Sequence, residues 1–275
     1  MILHSQNKTI ELGKRTLIMG ILNVTTDSFS DGGDYTDIDL AVERAKEMVK
    51  EGADIIDVGG MSTRPGHEEI SIELELERVI PVIKRISKEV DTIISIDTYR
   101  YEVAEEAIKN GAHIINDVWG LQFDNGEMAK VASKYNTVVI AMHNQNGTEY
   151  KEDIMLSMRK FFNKTFEIAE KNGLSKDKII IDPGIGFGKD IKLNLEVLHR
   201  MNEIRDIGPI LLGASRKRFI GTLLNNLPPK ERTEGTIATT IAGIERGADI
   251  VRVHDVLQNK RAVLVADAII RGYKD

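Results

Sequence analysis

The chain has 275 residues, with 37 Lys plus Arg against 43 Asp plus Glu for a formal net charge of −6, 41% hydrophobic residues and no Cys. Without thiols there can be no disulfide framework, thiolate zinc site, iron–sulfur cluster or cysteine nucleophile, so the chemistry falls to carboxylates, amides, hydroxyls, His, Lys and Arg, and a reducing, cytoplasmic setting is expected. The acidic balance argues against general nucleic-acid binding, and the length suits one large domain with a substantial core, or two small ones.

The segment Met1–Ile10 carries His4, Gln6, Asn7 and Lys8, has no apolar stretch of signal-peptide length and reads as a short hairpin-like lead-in. No run of about 18 apolar residues occurs anywhere, so no transmembrane helix is expected. Eight short Ile/Val-rich runs follow: Thr16–Leu22, Asp54–Val58, Thr92–Ile96, Ala112–Asn116, Thr137–Met142, Lys178–Ile181, Pro209–Gly213 and Asp249–Val253. Near-continuous apolarity of this length predicts parallel strands buried on both faces. Between them, Leu40–Lys50, Ile72–Lys88, Glu102–Lys109, Ile154–Lys171 and Ala238–Arg246 place apolar residues at helical spacing with charges between.

A weak repeat recurs at three helix-to-strand junctions: Glu51-Gly52-Ala53-Asp54-Ile55-Ile56, Asn110-Gly111-Ala112-His113-Ile114-Ile115 and Arg246-Gly247-Ala248-Asp249-Ile250-Val251. Gly can end a helix in the left-handed conformation, and the β-branched pair begins a strand. With no linker composition between the units, a single α/β domain over residues 1–275 is predicted, a (β/α)₈ TIM barrel, with a doubly wound open sheet as the alternative.

In such a barrel the carboxyl ends of the strands form the functional mouth. Here all eight are polar: Asn23, Asp57, Asp97, Asn116 with Asp117, His143 with Asn144, Asp182, Ser215 to Lys217, and Arg252 with His254. Each alone reads as a cap or turn residue. Together they imply a polar ligand, because burying so many unmatched polar groups is costly. Asp182-Pro183-Gly184-Ile185-Gly186-Phe187-Gly188-Lys189-Asp190 fits neither nucleotide-loop spacing; its glycines would admit a flat ligand, with Phe187 to stack or pack. Two loops, Thr25–Gly33 and Gly59–Gly66, mix Gly and hydroxyls with Phe29 and Asp31 in the first and Ser62, Thr63, Arg64 and Pro65 in the second, and read as mobile covers. Strand alternation puts Arg252 and His254 on one side, where both can address one phosphate group, and Arg216 and Arg218 read as surface charges. His4, His67, His113 and His199 read as structural or solvent-facing, and Trp119 as core or mouth.

Taken in order, Asn23–Gly33, Asp57–Gly66, Asp97-Thr98, Asn116-Asp117, Met142-His143-Asn144, Asp182–Phe187, Ser215-Arg216-Lys217 and Arg252-Val253-His254 resemble the motifs of the dihydropteroate synthases, pterin-binding barrels and sulfonamide targets, over essentially the whole chain. Thr26 and Met61 depart from the family pattern, which usually has Pro and commonly Glu there. The resemblance implies condensation of a dihydropterin-methyl diphosphate with p-aminobenzoate to dihydropteroate and diphosphate. It implies pterin contacts from Asp97, Asn116, Met142, Asp182, Gly213 and Lys217, and diphosphate contacts from Asn23, Thr63, Arg252 and His254. It further implies Mg²⁺ on Asn23, an arylamine pocket of Thr63, Arg64, Pro65, Phe187 and Ser215, a mobile-loop role for Thr25, Phe29, Asp31 and Ser62, and a homodimer. Asn23, Asp97, Lys217, Arg252 and His254 would carry the reaction, which the family is thought to run dissociatively, with no nucleophile or strong base. A methyltetrahydrofolate methyltransferase of the same barrel family, a Schiff-base lyase using Lys217, and a non-catalytic pterin-binding protein are the competing readings.

Overall fold

The computed structural model describes residues 1–24, 34–61 and 69–273. Two short strands, β1 (Ile2–Ser5) and β2 (Lys8–Glu11), pair antiparallel as the expected hairpin. Eight parallel strands then close a barrel: β3 (Leu17–Asn23), β4 (Ile55–Gly59), β5 (Ile93–Asp97), β6 (Ile114–Asp117), β7 (Val138–Met142), β8 (Ile179–Asp182), β9 (Ile210–Leu212) and β10 (Ala248–Val253), with β10 pairing back onto β3. The open-sheet alternative is thereby excluded, since neither edge of the sheet is left unpaired.

The helices between the strands are α1 (Asp34–Glu51), α2 (Ile72–Glu89), α3 (Tyr101–Lys109), α4 (Glu127–Lys134), α5 (Ile154–Lys171), α6 (Ile191–His199), α7 (Arg218–Leu223) and α8 (Thr233–Glu245), with α9 (Val256–Arg271) last. Amphipathicity explains the longer ones; α2 buries Val79, Val82, Ile83 and Ile86 at three- and four-residue spacing against the barrel, and Ser71 caps its first turn by accepting from Leu74 N–H. Among the described residues no helix is long and apolar enough to cross a membrane.

The repeat has a common physical purpose. Gly52, Gly111 and Gly247 take φ of +105°, +113° and +98°, ending α1, α3 and α8 as expected. Two residues later a side-chain acceptor closes onto the preceding strand: Asp54 accepts from Ile18 N–H at 2.9 Å, His113 Nδ1 from Ile94 N–H at 3.1 Å and Asp249 from Ile210 N–H at 3.0 Å. These lower strand ends thus keep their amides satisfied.

The hairpin plugs the amino end of the barrel. Leu3, Ile10 and Leu12 join Leu17, Met19, Ile55, Ile114, Val138, Ile140, Ile180, Leu211 and Ile250 in one buried cluster. Ser5 locks it in place, its Oγ donating to His113 O and accepting from Val138 N–H. Ser5→Ala orphans both buried backbone groups and is expected to lower unfolding free energy by about 1–3 kcal/mol in urea titrations; unchanged stability would contradict this anchoring role.

Candidate active site at the carboxyl end of the barrel

Above the apolar floor the inward positions turn polar. Strand register aligns Asn23 with Gly59, Gly59 with Asp97 and Asp97 with Asn116, while Met142 aligns with Asp182. Because side chains alternate every second residue, this row sits directly over the aliphatic layer. A Cβ built on Gly59 would lie 3.7 Å from Asp97 Oδ2 and 3.8 Å from Asn23 Oδ1, so both side chains border the space above the glycine.

Arg252 crosses the mouth. Its Nε donates to Asp57 Oδ2 at 2.6 Å and one terminal nitrogen to Asp97 Oδ2 at 2.6 Å, while Asn116 Nδ2 donates to the same Asp57 oxygen at 3.1 Å. Asp57 Oδ1 and Asp97 Oδ1 are nevertheless buried with no hydrogen-bond donor among the described residues. One guanidinium shared by two buried carboxylates leaves their charge incompletely compensated. Burial, with the neighbouring Asp57 charge, pushes the Asp97 carboxyl up to about 7 against the pull of Arg252.

Asp182 ends β8, its Oδ1 accepting from Gly184 N–H at 2.7 Å. Burial raises its pKa against that bond and against the nearby Lys217, Arg252 and Lys189 charges. A Cβ at Gly213 would lie 3.5 Å from Asp182 Oδ2 and 4.0 Å from Arg252, so Gly213 borders both side chains. Lys217 Nζ stands 4.1 Å above the Phe187 ring in cation–π geometry. Beside them, Ser215 Oγ accepts from His254 N–H at 3.2 Å and meets His254 Nδ1 at 3.0 Å. Met61, Tyr99, Val118 and Met142 form a separate buried apolar cluster at this end, packed with Ile70, Trp119 and Phe187. Trp119 thus belongs to the mouth, and Met61, one of the two departures from the family pattern, contributes apolar wall.

The strand-end residues do not all serve the cavity. Asp117 accepts from Trp119 N–H at 2.8 Å and Leu121 N–H at 2.7 Å, and so is a turn residue. His143 is buried with its Nδ1 2.9 Å from Lys189 Nζ and its ring against Phe161. Arg216 pairs with Asp255, in a backbone conformation of φ +57°, and Arg218 is exposed at the start of α7. Arg252 turns inward onto two carboxylates, and His254 Nδ1 meets Ser215 Oγ. With Asp57, Asp97 and Asp182 facing Arg252, Lys217 and Lys189, the described mouth is balanced rather than cationic. Lys189 was absent from the expected site because its segment reads from sequence only as a glycine-rich loop; a basic residue closing that loop was the available signal. Thr25, Thr26, Phe29, Asp31, Ser62, Thr63, Arg64 and Pro65 lie outside the described residues.

Asn23, exposed at the end of β3, presents one amide oxygen to the mouth. Among the described residues no group of three or more His, Asp and Glu side chains could hold a metal ion. One amide oxygen does not cage an ion, so a Mg²⁺ bound there would be carried mainly by substrate phosphates and water.

A family model described as pterin binding enzyme matches residues 19–254. A dihydropteroate synthase of Clostridium beijerinckii is 54% identical over 270 residues, covering 96% of this chain and 98% of that protein. A crystal structure of dihydropteroate synthase from Clostridium difficile in the presence of pteroic acid is 57% identical, with a TM-score of 0.93 over 95% of this chain and 99% of the other. A Yersinia pestis dihydropteroate synthase structure with a sulfonamide drug is 38% identical, with a TM-score of 0.91 over 99% of this chain and 100% of the other.

The raised Asp97 carboxyl has a defined pH signature. Between the ordinary carboxylate range and about 7 the folded protein holds a proton that the unfolded chain has released. Asp97 therefore contributes stability at low pH that is lost as pH rises through about 7. In urea titrations, native protein is expected to gain stability relative to Asp97→Asn as pH is lowered from about 8 to 5; a pH-independent difference would refute the assignment.

Proposed function

The chain belongs to the pterin-binding enzyme family, on its dihydropteroate synthase branch, and from that premise we propose how its barrel mouth joins a dihydropterin-methyl diphosphate to p-aminobenzoate. The observation that carries the reading is the set of buried carboxylates at the mouth, with one Asp97 oxygen meeting no donor among the described residues. A pterin edge offers an exocyclic amine beside a ring N–H, two parallel donors that one carboxylate accepts at once, and Asp182 is the residue assigned to that edge. Asp97 Oδ1, buried without a donor, and Asn116 beside it take the remaining ring nitrogens. Met142 and Gly213 bound the flat faces, and Lys217 donates to a ring nitrogen or carbonyl.

The diphosphate is assigned to Asn23, Thr63, Arg252 and His254. Arg252 serves it with its remaining N–H groups while bound to Asp57 and Asp97, so the carboxylates hold the guanidinium in place for an incoming anion. Mg²⁺, with Asn23 Oδ1 as its protein ligand, would supply further positive charge to the leaving group. The C–O bond breaks with both electrons going to diphosphate, and the resulting positive charge on the pterin methyl carbon is delocalised into the ring. Asp97 and Asp182, held around that ring, favour the cation electrostatically. The neutral arylamine nitrogen then forms the new C–N bond and loses a proton, so no strong base is required.

Phe187 and Ser215, with Thr63, Arg64 and Pro65, make up the proposed arylamine pocket, where a sulfonamide would compete. Thr25, Phe29, Asp31 and Ser62 are assigned to loops closing over the substrates to exclude water. A homodimer is proposed to cover the exposed apolar side chains Leu264, Val265 and Ile269 of α9, since so apolar a helix face is unfavourable in water. A cytoplasmic location suits a thiol-free chain.

Purified protein mixed with both substrates and Mg²⁺ is expected to form dihydropteroate and diphosphate in equal amounts; no product would overturn the reading. Asp182→Asn is expected to weaken calorimetric binding of a pterin by about 1.5–3 kcal/mol through loss of a charged two-point contact. Arg64→Ala is expected to impair arylamine use more than pterin binding, and equal loss of both would contradict the division of the pocket.

A further inference from the structure

We propose that Lys189 is a positioning residue for pterin recognition: its ammonium ties the loop between β8 and α6 to His143 and holds Asp182 aimed and ionised. The proposal rests on the reading that Asp182 receives the pterin edge. Lys189 closes the glycine-rich segment and is only 7% exposed. Its Nζ donates to Gly184 O at 3.0 Å and Phe187 O at 3.0 Å, and lies 2.9 Å from His143 Nδ1. Two carbonyl oxygens that only accept and one imidazole nitrogen surround Nζ, and an ammonium donates to all three when Nδ1 is the unprotonated ring nitrogen. His143 Nδ1 must then be an acceptor, in keeping with a His143 pKa lowered by burial and by the Lys189 charge.

Gly184 transmits the contact to the site. Its carbonyl is held by Lys189 and its N–H by Asp182 Oδ1 at 2.7 Å. At φ +67°, any Cβ there would strike the His143 carbonyl oxygen, so the loop is seated against β7 with no room to shift. Asn194, itself buried, accepts from Gly186 N–H at 2.6 Å and donates to Lys189 O at 3.2 Å, and Tyr150 donates to Gly188 O at 3.0 Å. Holding Phe187 by its carbonyl also fixes the ring under Lys217. One buried cation thus connects the proposed pterin acceptor, the proposed arylamine wall and β7.

The titratable groups facing Lys189 are Asp182, Lys217 and His143, with Tyr150 beyond Gly188. Burial lowers the Lys189 pKa to about 7, with Asp182 opposing that shift and Lys217 adding to it. The ammonium charge is therefore lost as pH rises past that value, and by linkage a ligand that needs the Asp182 carboxylate draws the Lys189 pKa upward.

The test is calorimetric binding of 6-hydroxymethylpterin across pH to native protein, Lys189→Met and Asp182→Asn, with circular dichroism to establish folding. Native affinity is expected to fall on the alkaline side. Lys189→Met should bind on the order of tenfold more weakly near neutrality, since buried acceptors are left unmatched, and should lack the native alkaline fall once the probe's own titration, common to both proteins, is divided out. Equal affinity and an identical profile would overturn the proposal. If Asp182→Asn weakens binding and Lys189→Met does not, the positioning role alone fails; if Asp182→Asn binds as tightly as native, the pterin-edge reading fails with it. Should Lys189→Met not fold, ¹⁵N-lysine spectra of the native protein decide: a slowly exchanging ammonium that titrates near neutrality and moves upward with the probe supports the role, and no such lysine overturns it.

Discussion

The mouth of this barrel depends on one guanidinium shared between two buried carboxylates. Arg252 comes from the last strand, Asp57 and Asp97 from the second and third, and the closed sheet brings them together across 195 and 155 residues of sequence. Removing one member would strand the charge of the others in a poorly solvated layer, which makes the trio mutually dependent. It is also incomplete. The second oxygen of each carboxylate is buried without a donor, and the apolar floor beneath has none to offer. In the proposed reading, a pterin completes the Asp97 part of what the protein leaves open.

The scaffold makes that arrangement sustainable. Apolar residues from the barrel strands and hairpin fill the lower interior, and the side-chain acceptors Asp54, His113 and Asp249 satisfy amides at strand starts. The rigid amino end thereby carries the packing while the carboxyl end can afford buried polar groups. Around the trio, the Gly184 turn and the Ser215–His254 contact fix side chains from β8 onward. Positive and negative groups are nearly matched there, so selectivity must come from where each charge is aimed more than from net potential.

Much of this architecture was legible in the sequence because its signals are local. The eight apolar runs locate the barrel strands to within a few residues, and the Gly-Ala repeat marks three helix ends whose glycines take the left-handed conformation. Helices α4, α6, α7 and α9 were not delimited: α7 has only six residues, too short for a periodic pattern, and α6 directly follows a glycine-rich loop that hides its start. The polar strand ends pointed to the mouth, but residue type could not separate Asp57, which binds Arg252, from Asp117, which caps a turn. Nor could it show that Arg252 is engaged by carboxylates or that Lys189 is buried under the loop, since both facts depend on contacts made only when distant strands close. The dihydropteroate synthase motifs supplied roles that spacing alone does not.

The central claim is that the buried carboxylates of Asp182 and Asp97 are pterin acceptors. Its most direct test is a crystal structure of the protein with a bound pterin. The account expects the exocyclic amine and adjacent ring N–H within hydrogen-bond distance of Asp182, with further ring nitrogens meeting Asp97 Oδ1 and Asn116 and Arg252 still bridging Asp57 and Asp97. A pterin seated away from these residues, or one leaving both Asp182 and Asp97 without a ring donor, would contradict it.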